Sequence, residues 1–251
     1  MEGYNAIGIE SLLDWPRIRK LLSIGLFASL LAFAGDFILG YGVADESLTG
    51  MEQMLSAYVG LSDTKIFWSS FLGLLGITLE ALSYFGIYRL MAEKSPRCAH
   101  NYRTGILGYM MFAACGIHVM MLACLFVYKH LMLLTGDYES TIAIMLKFAK
   151  YFLLPTFVIF VIFFGILCGT QIAAFAKGYT PYPKWCWIFN VLVGMVLVLV
   201  ITAFGHSAFM NAVRAGYMSL GNIWMFAGLL ITYHEEGRRK CRVRYFIHSL
   251  S

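Results

Sequence analysis

The sequence predicts an all-α fold: a polytopic bundle of six transmembrane helices with both termini in the cytoplasm. Three observations carry that expectation. Only 13% of the 251 residues are charged and 60% are hydrophobic, with a mean hydropathy of +0.72, whereas a soluble domain carries about 25% charged residues. Apolar stretches of about 20 residues recur, the length that crosses a hydrocarbon core of roughly 30 Å. The basic residues also alternate from one side of those stretches to the other.

The spans fall at about 20–42, 66–91, 104–132, 151–176, 185–208 and 213–234, all in a single transmembrane domain of residues 1–251. The first begins after a basic start and resembles a cleaved leader, with Ala32 and Ala34 in an A-x-A pattern. Its apolar run continues through "FILGYG", so it is read as a span. The second follows "SDTK", where Ser62 or Asp63 can cap a helix. The fourth ends at Lys177 and the turn "GYTPYP", whose prolines stop one helix and start another. Between the fifth and sixth, "GHSAFMNAVRAGYMSLGN" reads as loop or helix. Two outer connectors, "GMEQMLSAYVG" (50–60) and "YESTIAIMLKFAK" (138–150), have apolar residues at helical spacing. They are suited to lie on the outer interface or lid a cavity.

Orientation follows the lysines and arginines. With the N-terminus inside, 14 of the 19 fall on cytoplasmic segments: Arg17, Arg19, Lys20, Arg89, Lys94, Arg97, Arg103, Lys177, Lys184 and the run from Arg238 to Arg244. The net charge of +5 is then a topology signal and a contact for anionic membrane lipids, not a nucleic-acid footprint. The expected location is the cell membrane. The six cysteines form no C-x-x-C pair and none falls in an outer loop, so they read as small packing residues.

Function is sought in the polar residues that a membrane should exclude. Asp36, Glu80, His118, His206, Asn222 and Gln171 sit in apolar spans, where an aspartate at a helix centre costs about 2.5–3.5 kcal/mol on insertion scales. Such groups face the bundle interior. Their flanks agree: Ala28, Ala32, Asp36 and Gly40 make one small or polar stripe, and Gly73, Gly76, Glu80, Tyr84 and Tyr88 another. Small residues let helices approach closely, so the stripes should face each other. At 1.5 Å per residue from the nearest basic boundary, Asp36, His118 and Asn222 lie at roughly 22–24 Å, Glu80 at about 14–21 Å and His206 at about 33 Å. The expectation is a polar cavity in the outer half, opening outward.

Asp36, Glu80 and His118 are the candidate acid–base groups, as Glu80/His118 or Asp36/His206 pairs, because burial raises a carboxylate's pKa and lowers a histidine's. His206, Asn222, Trp224, Tyr84 and Gln171 are candidate ligand contacts. Two His and two carboxylates could suit a metal, but they come one per helix without a ligand-spacing motif, and neither metal nor cofactor is assigned. No span carries a mid-depth lysine for a Schiff base, and there is no phosphate loop, G-x-S-x-G or H-E-x-x-H. The leading expectation is binding, with acid–base processing, of a lipid-like or small amphiphilic molecule. A proton- or ion-coupled transporter and a non-catalytic protein with structural polar contacts are the alternatives. Oligomeric state is not readable.

The stretches "AGDFILGYG" (34–42), "TPYPKWCWIFN" (180–190) and "SLGNIWMFAGLL" (219–230) resemble a family of bacterial six-helix integral membrane proteins known only as a domain of unknown function. The resemblance implies six spans and a bacterial membrane and brings no activity. Asp36, Asn190 and Asn222 are the polar positions within the matching stretches. Glu80, His118, Asn222 and Trp224 are also similar in type to the intramembrane set of sterol-isomerase-like enzymes, a likeness of residue type alone.

Overall fold

The structure, a computed structural model, describes residues 13–205 and 207–248, with side chains as far as Thr232. Its helices are α1 (Trp15–Gly40), α2 (Gly50–Val59), α3 (Asp63–Ala92), α4 (Pro96–Thr135), α5 (Tyr138–Ala176), α6 (Val191–Ala203), α7 (Ala208–Ala215) and α8 (Tyr217–His248), with a 3₁₀ turn at Lys184–Ile188. No strand occurs among the described residues.

The helix starts follow ordinary capping chemistry. Asp14 accepts from the Arg17 amide at 3.1 Å ahead of Pro16. Ser62 takes the capping role at α3, accepting from Lys65, and Ser95 does so at α4 ahead of Pro96. Asn190 caps α6. Gly136, at φ +64°, closes α4 in the left-handed conformation.

Among the described residues four helices, α1, α3, α4 and α5, are long and apolar enough to cross a membrane, and α7 with α8 makes a fifth candidate, bent by 65° at Gly216. Helix α6 is apolar but only 13 residues long, about 20 Å against a core of roughly 30 Å. The sequence expectation of a fifth span over 185–208 thus resolves into a 3₁₀ turn and a short helix. The uncertain stretch after it is a broken helix. The connector at 138–150 is continuous with the fourth span: α4 and α5 run for 40 and 39 residues, each about 60 Å long. The connector at 50–60 is the separate helix α2, which packs on the C-terminal half of α4.

Large apolar side chains face outward along every long helix, among them Phe27, Leu30, Phe71, Phe126, Val158, Ile162, Val200 and Ile231. Such an apolar girdle belongs in lipid, not water. Trp185 and Trp187 stand exposed at the end of the bundle rich in Lys and Arg, and Trp68 at the other, where amphipathic rings meet headgroups.

The helices are arranged as an arc, with neighbours in the order α6, α8, α1, α3, α4, α5. The two predicted stripes do meet: a Cβ on Gly76 would lie 2.7 Å from the Ala28 carbonyl oxygen and the Ala32 nitrogen, so α1 and α3 touch backbone to backbone. Gly194 and Gly221 bring α6 and α8 equally close. At the basic end α5 is joined to the far side of the arc. Gln171 donates to the Phe189 carbonyl at 2.9 Å, and Asn190 donates to the Cys168 carbonyl at 3.3 Å. Towards the opposite end α5 and α8 make little direct contact, and a cavity lies between them.

Candidate functional site

Two breaks of α-helical regularity shape the cavity. Residues Ala113–Val119 of α4 and Ala149–Leu153 of α5 are π-helical. A π turn widens the helix and appears frequently where function requires it. Its longer ladder frees carbonyls, and a neighbour reaches one: the Thr156 hydroxyl of α5 lies 2.8 Å from the Gly116 carbonyl oxygen, sharing its proton with the Leu153 carbonyl of its own helix at the same distance. The cavity has a volume of about 550 Å³ and takes wall residues from both π segments, including Ala113, Ile117 and His118, then Ala149, Lys150 and Leu153.

One end of the cavity is polar and the rest is oily. Asp36 of α1, Glu80 of α3, Tyr109 and His118 of α4, and Ser219 and Asn222 of α8 form the polar end. Leu154, Phe157 and Phe160 of α5 with Ile77, Met121 and Met218 form the apolar walls. Leu154 and Phe157 are about half exposed, so the cavity adjoins the outer flank of α5.

The polar end contains two hydrogen-bonded sets. In the first, Glu80 Oε2 accepts from Tyr109 at 2.9 Å and from Asn222 Nδ2 at 3.1 Å, while Tyr84 donates to Asn222 Oδ1 at 2.5 Å. All four residues are buried. Glu80 Oε1, equally buried, has no hydrogen-bond partner. Ser29 stands beside the carboxyl, but its hydroxyl donates to the Gly25 carbonyl at 2.8 Å.

In the second set, His118 Nε2 lies 3.1 Å from the Ser69 carbonyl oxygen, and Nδ1 lies 3.7 Å from Asp36 Oδ1. Asp36 Oδ2 accepts from Ser219 at 2.7 Å. A carbonyl only accepts, so the bond to Ser69 places a proton on Nε2. Nδ1 is then the nitrogen that can exchange a proton, and it faces a carboxylate. The separation of 3.7 Å exceeds a direct hydrogen bond and leaves the pair open to a third group. His118 fits only because α3 has a glycine opposite: a Cβ at Gly73 would come within 1.9 Å of Nε2.

Asp36, Glu80, His118 and Asn222, chosen from sequence, therefore share one cavity, but in different pairs from those expected. Asp36 meets His118, and Glu80 meets Asn222. Tyr84 is one layer behind, behind Asn222. Gln171 is buried at the 3₁₀ turn, and Trp224 donates to the Ile188 carbonyl at 2.8 Å; neither lines the cavity. His206 lies outside the described residues. Tyr109, Ser219 and Lys150 were missed from sequence. A tyrosine in an aromatic-rich span reads as packing, whereas Ser219, one turn before Asn222, shares its face and could have been found. Among the described residues, no three His, Cys, Asp or Glu side chains converge to hold a metal ion.

The chain belongs to a family of unknown function, DUF6796, which it matches over residues 4–236. No curated protein and no solved structure matches it.

Proposed function

For a member of a family without an assigned activity the site itself is the warrant, and we propose that this cavity binds a lipid-like or small amphiphilic molecule and can move a proton to or from it. The observation that carries the reading is the division of one 550 Å³ space into a polar end and an oily body beside the exposed flank of α5. A tail can lie against Leu154, Phe157 and Phe160, with its head at Asp36, Glu80 and His118. Pockets of this size and lining suit such ligands. The His118–Asp36 pair supplies the acid–base element: Nδ1 takes a proton while the carboxylate balances the resulting imidazolium.

The reading assumes a bundle of six spans in the cell membrane with both termini cytoplasmic, α6 being the short one. The 14-to-5 division of basic residues supports that orientation. The cavity then sits in the outer half.

Native mass spectrometry with lipidomics on gently purified protein tests the reading, wild type beside Asp36→Asn. A specific co-purifying amphiphile that the variant loses supports it. No bound species, with the variant merely less stable, assigns the polar contacts to holding the helices together.

A proton- or ion-coupled transporter is a second reading, favoured by one observation. Helix α8 begins at a 65° break and its first turn, Tyr217 to Ser219, lines the cavity, as discontinuous helices do in transporters. Substrate-dependent proton flux in proteoliposomes, altered by Asp36→Asn, would select it.

A further inference from the structure

The cavity has a deep end and a rim. The Thr156 hydroxyl lies 2.8 Å from the Gly116 carbonyl oxygen, which sets α4 and α5 level at those two residues. The helices run antiparallel, so Tyr109 lies deeper than that level, and its ring packs on Phe160 and Phe164 at centroid distances of 6.0 and 6.2 Å. In the opposite direction His118 is two residues along α4 and Lys150 six residues along α5. At 1.5 Å per residue Lys150 stands about 6 Å beyond His118 along the bundle. Both line the cavity.

Lys150 is exposed and makes no ion pair with a carboxylate among the described residues. The other cations assigned to the outer side are Lys65, Lys129, Lys147 and Arg214. Lys129 donates to the Leu61 carbonyl and Asp63, and Arg214 to the carbonyls of Thr202 and Gly205. Of the five, Lys150 alone lines the cavity. A cation thus stands over the Asp36–His118 pair without an acidic side chain of its own.

We propose, resting on the amphiphile-binding reading above, that the ligand's head is an oxyanion, a carboxylate or a phosphate ester, held between Lys150 and His118. An interval of about 6 Å accommodates one such head with a charge-assisted hydrogen bond of about 2.8 Å on either side. The charges then pair off. With the proton on Nδ1 the imidazolium offsets Asp36 across 3.7 Å, and Lys150 offsets the ligand. A neutral head would leave Lys150 without a counter-ion, and an ammonium would set a second cation beside it. The tail runs inward past Leu154 and Phe157 to Phe160.

The test uses the full-length protein in phosphatidylcholine nanodiscs and four probes with the same tail: dodecanoate, dodecyl phosphate, 1-dodecanol and dodecyltrimethylammonium. Affinities come from native mass spectrometry. At least one oxyanion is expected to bind at least tenfold tighter than dodecanol and the ammonium, and whichever of the two binds tighter names the head as carboxylate or phosphate. Lys150→Gln should weaken the oxyanions at least tenfold and leave dodecanol within about threefold. Lys147→Gln removes an exposed charge one turn away that does not line the cavity, and should leave every probe within about threefold. Ala149→Phe, which fills the cavity, should abolish binding of all four; Leu153→Trp takes its place if thermal unfolding shows that Ala149→Phe does not fold.

Dodecanol or the ammonium binding as tightly as both oxyanions overturns the oxyanion assignment, and so does an equal loss on Lys147→Gln and Lys150→Gln, which would be surface charge alone. In either case the amphiphile reading stands as long as filling the cavity still blocks the probes. Failure of all four to bind wild-type protein, or binding that the filled cavity leaves unchanged, overturns both.

Discussion

Gly73→Ala isolates the contact on which the site's geometry depends. The added methyl would lie 1.9 Å from His118 Nε2, 2.4 Å from Cε1 and 2.5 Å from Cδ2. Those distances are far inside contact, so the imidazole must swing away. It then gives up its bond to the Ser69 carbonyl and its approach to Asp36. Overpacking costs about 1–3 kcal/mol, and a lost buried hydrogen bond about 1 kcal/mol. Alanine's better helix propensity returns about 1 kcal/mol. The net expectation is destabilisation by about 1–3 kcal/mol. The assay is a double-mutant cycle with His118→Ala, read by unfolding in mixed micelles. With the imidazole absent the methyl has room, and Gly73→Ala should be neutral or stabilising by up to about 1 kcal/mol. If Gly73→Ala costs the same in both backgrounds, the imidazole does not occupy that space and the proposed geometry is wrong.

Three further expectations follow from the same geometry. Asn222→Leu deprives Glu80 of a donor and Tyr84 of its acceptor inside the core, and should cost about 2–4 kcal/mol of unfolding free energy, the price of newly unsatisfied buried groups. Thr156→Val removes the hydroxyl that catches the Gly116 carbonyl; a loss of about 1 kcal/mol should accompany faster amide exchange confined to the 113–119 region. Asp137 caps α5 by accepting from Ser140, and those hydrogen bonds hold its carboxyl below the ordinary range. Its cap is therefore fully present above the unfolded value of about 3.9 and is lost as pH falls through the lower folded value. The protection of amides at residues 138–141, taken relative to their intrinsic exchange rate at each pH, should fall only as pH drops below about 3.9, and Asp137→Asn should remove that pH dependence.

The long helices were legible because lipid imposes a blunt requirement, a run of apolar residues of fixed length, and α1, α3, α4 and α5 meet it plainly. The break at Gly216 and the short α6 were not, because both stretches keep apolar residues at helical spacing on either side. Tertiary contacts decide where they bend: Arg214 donates to the carbonyls of Thr202 and Gly205, tying α7 to the end of α6. The facing stripes of α1 and α3 were read correctly because small residues at four-residue spacing have few other uses. That Asp36, Glu80, His118 and Asn222 share one cavity was legible, because a carboxyl, imidazole or amide in an apolar run stands out, whereas Tyr109 and Ser219 beside them were not. The pairing was not. Asp36 meets His118 rather than His118 meeting Glu80 because a π turn rotates His118 relative to the regular helix before it, and the residues of that turn, "AACGIHV", look like any small apolar stretch.

That π turn makes chain length a selector of chemistry. Each residue of a helix advances about 100° around the axis, and the wide turn accommodates residues that a regular ladder would place elsewhere. Deleting one residue between Phe112 and Met120 would let the helix return to the ordinary repeat. The bundle, its apolar girdle and its caps would survive. Where the lost residue is Val119 and the bundle holds the helix from Met120 onward, His118 would turn by roughly a quarter-revolution away from Asp36 and the Ser69 carbonyl. Two chains that differ by a single codon at this point would then share a fold while only one of them kept the proton-exchanging pair, and no comparison of side-chain identities at the other polar positions would tell them apart.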